Sequence, residues 1–284
     1  MNKREDCESM VRKDRHVVEA LGMTKVVIED GKVVFVGEPQ VRYCPLFAKH
    51  RGIKEITSDV VRENIEFRVR DFGMCTPTRQ MRMRDFLSFG VSELIAMCIT
   101  KKMLDCAVLV TDGAGTVIVT DPDVVQGIGG RISGIVETSP IEEVIETVGH
   151  ENVLDPEHAT IDQYAGAQMA FRQGHKKVAV TIALATDAKR IRGAFGDQIA
   201  IFAVHTTGTS ERDAAILFDV CDIVSGCAAK WVRTDAKRRN VVQAGNKVPV
   251  YAVSAFGKKI LEERLKQIGS KLEIGTEDPP RPLL

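Results

Sequence analysis

The feature that most constrains the fold is a regular alternation of strand-like and helix-like segments in the second half of the chain. Short β-branched runs at 177–182 and 199–204 are each followed by a stretch with the apolar spacing of a helix, at 186–195 and 210–219. Successive parallel strands need long crossover connections, which helices usually supply. The alternation therefore predicts an α/β fold with a mainly parallel, doubly wound sheet.

A different pattern occupies the N-terminal third of the chain. Residues 24–37 contain two β-branched runs that are joined by Asp30 and Gly31. An Asp-Gly pair accepts the positive φ angles of a type I′ turn, so this segment predicts a β-hairpin. We expect three parts in the chain: a cysteine-bearing N-terminal region with this hairpin and helices at 1–100, an α/β domain at 101–270, and a flexible, proline-rich tail at 271–284.

Charge and composition narrow the class of partners. The 284-residue chain has 39 basic and 39 acidic side chains, so it lacks the net positive charge with which proteins hold nucleic acid. No run approaches the roughly 20 apolar residues that cross a bilayer. We therefore expect a cytoplasmic protein that binds neither nucleic acid nor a membrane and that can form a homo-oligomer.

A glycine-rich segment suggests an anion site. Gly127, Gly129 and Gly130 fall within four residues, and Arg131 follows at once. Glycines allow a backbone to approach a ligand closely, and arginine adds a permanent cation. The spacing differs from that of the dinucleotide fingerprint and of the phosphate-binding P-loop. The alternative to a bound anionic cofactor is a tight turn without a ligand.

Two further candidates follow predicted strands, where ligands collect in open α/β sheets. His205 is a candidate acid or base, and the next residues, Thr206, Thr207 and Gly208, precede a helix whose free amides suit an anion. Asp112 is a candidate general base, metal ligand or ribose-binding carboxylate. For His205 and the residues after it, the alternative is a histidine without a catalytic role beside an ordinary helix cap. For Asp112, the alternative is an ordinary Asp-Gly turn.

The seven cysteines favour reduced thiols, metal ligands or redox chemistry over a disulfide framework. Cys44, Cys75 and Cys227 lie in loop-like settings and are the candidate ligands of an iron–sulfur cluster or another soft metal. No CxxC spacing supports this assignment, so buried, inert thiols are the alternative. A further alternative is a nucleophilic cysteine that His50 or His205 activates.

Five segments of the chain are distinctive as a set: YCPLFAKHRG at 43–52, DFGMCTP at 71–77, DGAGTVI at 112–118, QGIGGRISG at 126–134 and FAVHTTG at 202–208. Through them the chain resembles the methanogenesis marker protein 8 family over about residues 17–268. The resemblance implies an anaerobic, methane-metabolising archaeon. It also implies a role in assembling, modifying or activating methyl-coenzyme M reductase or its nickel cofactor, with the reductase or its assembly factors as partners.

Three hypotheses about function follow from these patterns. In the first, an accessory protein holds a metal on the three loop cysteines and an anionic cofactor on the glycine-rich segment. In the second, an enzyme of the transferase or hydrolase class acts on a phosphorylated or carboxylated small molecule, with His205 as the acid or base and Arg131 as the anion clamp. In the third, the chain is a scaffold without catalysis.

Overall fold

The structure is a computed structural model that describes residues 14–84, 89–131, 134–245, 248–269 and 278–284, with the side chain of Arg131 outside the described part. Its strands are, in chain order, β1 (Arg15–Ala20), β2 (Thr24–Glu29), β3 (Lys32–Val36), β4 (Cys106–Thr111), β5 (Gly115–Val119), β6 (Gly134–Thr138), β7 (Val178–Ile182), β8 (Ile199–Ala203), β9 (Ile223–Ser225), β10 (Val242–Ala244) and β11 (Val250–Ala252). Its α-helices are α1 (Pro45–Arg51), α2 (Ser58–Phe72), α3 (Val91–Thr100), α4 (Pro122–Arg131), α5 (Glu142–Val148), α6 (Gln163–Arg172), α7 (Ala185–Phe195), α8 (Glu211–Val220), α9 (Lys230–Arg238) and α10 (Ala255–Ile268). No helix in the described ranges combines the length and the apolar character that crossing a membrane requires.

The smaller of two sheets is antiparallel, with the strand order β3-β2-β1-β6. Asp30 and Gly31 join β2 to β3 with φ angles of 49° and 70°, which confirms the predicted hairpin and its turn chemistry. Helix α2 covers this sheet, and its Val61 and Ile65 belong to the same buried cluster as Ile28 of β2. Because β6 comes from beyond residue 100, a strand of the predicted second domain completes the N-terminal sheet.

The larger sheet has seven strands in the order β10-β11-β9-β8-β7-β4-β5. The four strands β4, β7, β8 and β9 run parallel, and β5, β11 and β10 are antiparallel additions at the two edges. Along β7, Val180 and Ile182 belong to one buried cluster and Ala179 to the other. Helices α6 to α9 cover the first of these faces and α3, α4, α5 and α10 the second. The predicted α/β class with helices on both faces is confirmed.

The glycine-rich segment is a helix, so the interpretation of its glycines as a tight turn is wrong. Gly127, Gly129 and Gly130 lie in α4, and none of them has a positive φ angle. A β-carbon on Gly127 would clash with the backbone oxygen of Met81, and one on Gly129 would come within 2.6 Å of the Ser92 β-carbon. The glycines therefore let α4 approach its neighbours more closely than side chains would allow.

Residues 278–284, the end of the predicted tail, form contacts with the rest of the chain. The backbone of Arg281 exchanges two hydrogen bonds of 3.0 Å with that of Tyr43, and its guanidinium lies 4.0 Å from the centre of the Tyr43 ring. The backbone of Leu284 donates to Ala228 at 2.8 Å and accepts from Lys230 at 2.6 Å. This segment therefore ties the start of α1 to the start of α9. Residues 271–277 of the predicted tail lie outside the described residues.

Candidate functional site

A cavity of about 1410 Å³ opens at the carboxyl ends of the parallel strands. Val110 of β4, Ile182 of β7 and Ser225 of β9 line it from the large sheet, and Glu19 of β1 and Val136 of β6 line it from the small sheet. The cavity therefore lies between the two sheets. Ligands of open α/β sheets bind at this carboxyl edge, because the strands end there and the following helices begin there.

His205 follows β8 directly and lines this cavity. Its φ angle of 52° is unusual for a residue with a side chain. The turn is held on both sides, since Val204 donates to the Ile182 oxygen at 2.8 Å and the Thr206 hydroxyl donates to the Ser225 oxygen at 2.6 Å. This arrangement directs a histidine from the sheet edge into the open space.

The environment of His205 favours its neutral form. His205 is exposed to the cavity, and partial desolvation by the surrounding protein lowers the pKa of the imidazole. Within the described part of the chain, no side chain donates a hydrogen bond to the ring or accepts one from it. A neutral imidazole with free ring nitrogens can accept a proton from a ligand.

Glu19, which the sequence analysis missed, lies beside His205. Glu19 pairs with Gly134 across β1 and β6. A β-carbon on Gly134 would lie 3.5 Å from Cγ of His205 and 3.6 Å from Cβ of Glu19, so both side chains flank the bare backbone of one glycine. Burial raises the pKa of the Glu19 carboxyl. The one available signal was its place on the same strand face as the buried Val17.

Cationic side chains of α1 and α2 form another wall of the cavity. Lys49, His50 and Arg51 reach it from α1, and Arg68 reaches it from α2. Burial and the positive charges of Arg51 and Arg79 lower the pKa of Arg68 to about 10. Among the described residues, no carboxylate forms an ion pair with Lys49 or Arg51. The wall thus has a surplus of positive charge that a bound anion would offset.

Some of the site residues predicted from the sequence line the cavity, and others lie elsewhere. The predicted residues that line it are Gly129, Gly130, His205, Thr207, Gly208 and Cys227. The predicted residues that do not line it are Cys44, Cys75, Asp112, Gly127 and Thr206. The predicted role of the Arg131 side chain falls outside the described part. The His205 loop and the glycine-bearing helix α4 therefore meet at one site.

Asp112 lies in a buried junction away from the cavity. Its carboxylate accepts from Nε of Arg79 at 3.1 Å and from the backbone N–H of Cys75 at 2.6 Å. Arg79 in turn donates to the Gly127 oxygen at 3.0 Å. The side chains of Asp112 and Arg79 are both fully buried. These contacts occupy the carboxylate oxygens that a general base or a metal ligand would use. The geometry therefore supports a structural, anchoring role for Asp112.

The structure does not bring the three candidate cysteines into one metal site. Cys44 and Cys227 lie close enough for their charges to interact with each other and with Arg233, whereas Cys75 lies at the junction with Asp112. The described ranges contain no group of three His, Cys, Asp or Glu side chains suited to a metal ion. Burial raises the pKa of Cys75 and Cys227, which favours inert, protonated thiols.

The chain is similar to archaeal proteins over most of its length. A family model described as "Uncharacterized protein conserved in archaea (DUF2099)" matches residues 16–266. An uncharacterized protein of the methanogen Methanocaldococcus jannaschii is 44% identical over 282 residues, which cover 95% of this chain and 100% of the relative. No solved structure matches the chain. These matches support the archaeal part of the resemblance drawn from the sequence, and the marker-protein name stays an expectation.

Proposed function

The chain belongs to this family of conserved archaeal proteins, and from that premise we propose that its cavity binds an anionic small molecule and catalyses acid–base chemistry on it. The observation that carries the proposal is the meeting of three kinds of group in one cavity. A cationic wall, a neutral imidazole and a carboxyl with a raised pKa come from α1, α2, β8 and β1. Such a combination in a large concave site is typical of enzyme active sites.

The anionic character of the ligand follows from the cavity walls. Lys49, Arg51 and Arg68 supply positive charge on one side. On the other side, Thr207 and Ser210 lie at the start of α8. The amides at a helix N-terminus carry partial positive charge, and the carboxylate of Asp213 in the first turn of α8, which also lines the cavity, offsets part of it. A phosphorylated or carboxylated metabolite therefore suits the cationic wall best.

The protonation states of His205 and Glu19 suggest their roles. The neutral imidazole of His205 takes the proton from the O–H of an attacking nucleophile as the new bond to the substrate forms. The raised pKa of Glu19 keeps its carboxyl protonated to higher pH, so it gives a proton to the leaving group as the old bond breaks. One proton enters the protein and one leaves it in each cycle. This sequence describes a hydrolase or a transferase.

Binding of simple anions tests the first step. Calorimetric titration with inorganic phosphate, pyrophosphate and citrate is expected to show saturable binding of at least one of them. The double variant Lys49→Met/Arg51→Met should weaken this binding at least about tenfold, because each lost charge removes roughly 1 kcal/mol of attraction. Lys54→Met is the matched control, since Lys54 is exposed and does not line the cavity.

Two results would contradict this proposal. One is the absence of saturable binding for all three anions. The other is equal weakening of binding by the Lys54 control and by the cavity variant, because that result would assign the binding to general surface charge.

A role linked to methyl-coenzyme M reductase, which the resemblance drawn from the sequence implies, is a second candidate, and a relative from a methanogen agrees with it. In this role the anionic ligand would be the cofactor of the reductase or a precursor of it. Affinity purification of the tagged chain from a methanogen is expected to enrich the reductase or its assembly factors. Loss of this enrichment in the Lys49→Met/Arg51→Met variant would connect the partner with the cavity. Equal recovery of the reductase with an unrelated tagged protein would remove the candidate.

A further inference from the structure

The cavity is larger than a simple anion requires. Pockets for drug-sized ligands occupy roughly 300 to 1,000 Å³, whereas this cavity has about 1410 Å³. We infer that its ligand is an amphipathic anion, whose charged group meets the α1 and α2 wall and whose large apolar body covers the apolar side chains at the rim of the cavity. This inference rests on the proposed function and specifies its class of substrate.

The wall formed by α3, α4 and β4 is apolar. Ile95, Leu109, Val125 and Ile128 line the cavity here, and all four belong to the main buried core. Among the described lining residues of α3 and α4, Glu93 is the one charged residue. Its carboxylate accepts hydrogen bonds from Gln126 at 2.7 Å and from Ser92 at 3.0 Å. The four apolar side chains are at most 4% exposed, so the core forms a closed floor here, and the apolar surface that a ligand can cover lies at the rim.

The rim of the cavity carries exposed apolar side chains. Val136 of β6 is 65% exposed and Leu184 at the start of α7 is 60% exposed, and both line the cavity. Exposure of these apolar side chains to water is unfavourable, and an apolar ligand body would cover them. The cavity therefore presents exposed apolar side chains as well as cations, as an amphipathic ligand needs.

A series of alkyl phosphates separates the two ends of such a ligand. Calorimetric titration with methyl, butyl, hexyl and octyl phosphate, each below its micelle concentration, is expected to show affinity that rises with chain length. Burial of each methylene should tighten binding up to about fourfold. Affinity that is independent of chain length would overturn this inference. In that case the proposed function still stands if inorganic phosphate binds and the Lys49→Met/Arg51→Met variant weakens it.

A rim variant provides the matched test on the protein side. Val136→Thr/Leu184→Asn should reduce the ratio of octyl to butyl phosphate affinity at least about threefold, because two apolar contacts are lost. Both residues are exposed, so the fold tolerates the changes. Val34→Thr is the control, since Val34 is also an exposed valine, at 51%, but lies on β3 and does not line the cavity. An unchanged ratio in the rim variant, or an equal change in the control, would contradict the inference.

Discussion

The ends of β4 and β8 lie on the same edge of the large sheet, yet they have opposite characters. Asp112 after β4 is fully buried and is held by Arg79 and by the backbone of Cys75. His205 after β8 faces a cavity and has no hydrogen-bond partner among the described side chains. The residues 75–79 cover the first strand end, while the second remains open.

A polar residue at a strand end is a candidate for function when the surrounding residues leave its hydrogen-bonding groups without partners. The carboxylate of Asp112 already has the cation and the amide that it needs. The imidazole of His205 and the nearby carboxyl of Glu19 lack such partners in the described residues, and burial shifts the pKa of each toward its neutral form. Partners and burial, rather than residue type, separate the anchor from the site.

The largest expected effect concerns the anchor. Asp112→Asn leaves the Arg79 guanidinium buried without its counter-ion, so the free energy of unfolding should fall by about 3 to 5 kcal/mol. Urea unfolding followed by circular dichroism measures this loss. Asp71→Asn is the control: Asp71 forms an ion pair with Arg70 at the surface, and its loss should cost no more than about 1 kcal/mol. A similar small loss for Asp112→Asn would break the comparison between the two strand ends.

The next effect tests whether the α4 glycines serve packing. Gly127→Ala introduces a β-carbon against the backbone of Met81, and we expect it to destabilise the fold by about 1 to 3 kcal/mol. Gly193 in α7 is the matched control, because nothing lies within 4 Å of its β-carbon position. Gly193→Ala should stabilise the fold by about 0.5 to 1 kcal/mol, since alanine is the better helix former. Thermal and urea unfolding of both variants would reveal the opposite signs. Stabilisation by Gly127→Ala would refute the packing role.

The sequence was sufficient for the parts of the molecule that depend on local chemistry. The Asp30-Gly31 turn, the strand and helix alternation and the position of His205 at a strand end all follow from short-range patterns. The interpretation of the glycine-rich segment as a turn was wrong, because its glycines pack closely against Met81, which lies in a distant part of the chain. Glycine composition alone does not separate a flexible turn from a crowded helix face.

The rest of the site depends on long-range arrangement. Glu19 reaches His205 only because β6 returns to pair with β1, and the cationic wall requires α1 and α2 to fold over the edge of another sheet. The same limitation explains why the cysteine ligand set was not found among the described residues, since no local spacing shows that the backbone N–H of Cys75 bonds to Asp112. Pairings between strands far apart in sequence decide these contacts, and periodicity carries no information about them.

The smallest expected effect is the contribution of His205 to the pH dependence of the free energy of unfolding. Burial lowers the pKa of His205 in the fold, so below about 6.5 the unfolded chain binds more protons than the native one and stability falls as the pH falls. His205→Gln removes this loss. The stability of the wild type relative to the variant should therefore be constant above pH 7 and decline below about 6.5, as urea unfolding across pH 5 to 8 would show. The lowered pKa of the buried His16 acts with the same sign in both proteins and cancels in the difference.

Glu19 gives the opposite pH dependence of stability at the same site. Its raised pKa means that the native state holds an extra proton above about 4.5, so ionisation at higher pH makes the wild type less stable. Glu19→Gln should become more stable than the wild type as the pH rises through the pKa of the folded state. Opposite trends for the two variants would sharpen the contrast with the closed end of β4. A pH-independent difference for both would mean that bulk water reaches these side chains freely, and the cavity would then offer no neutral acid–base pair.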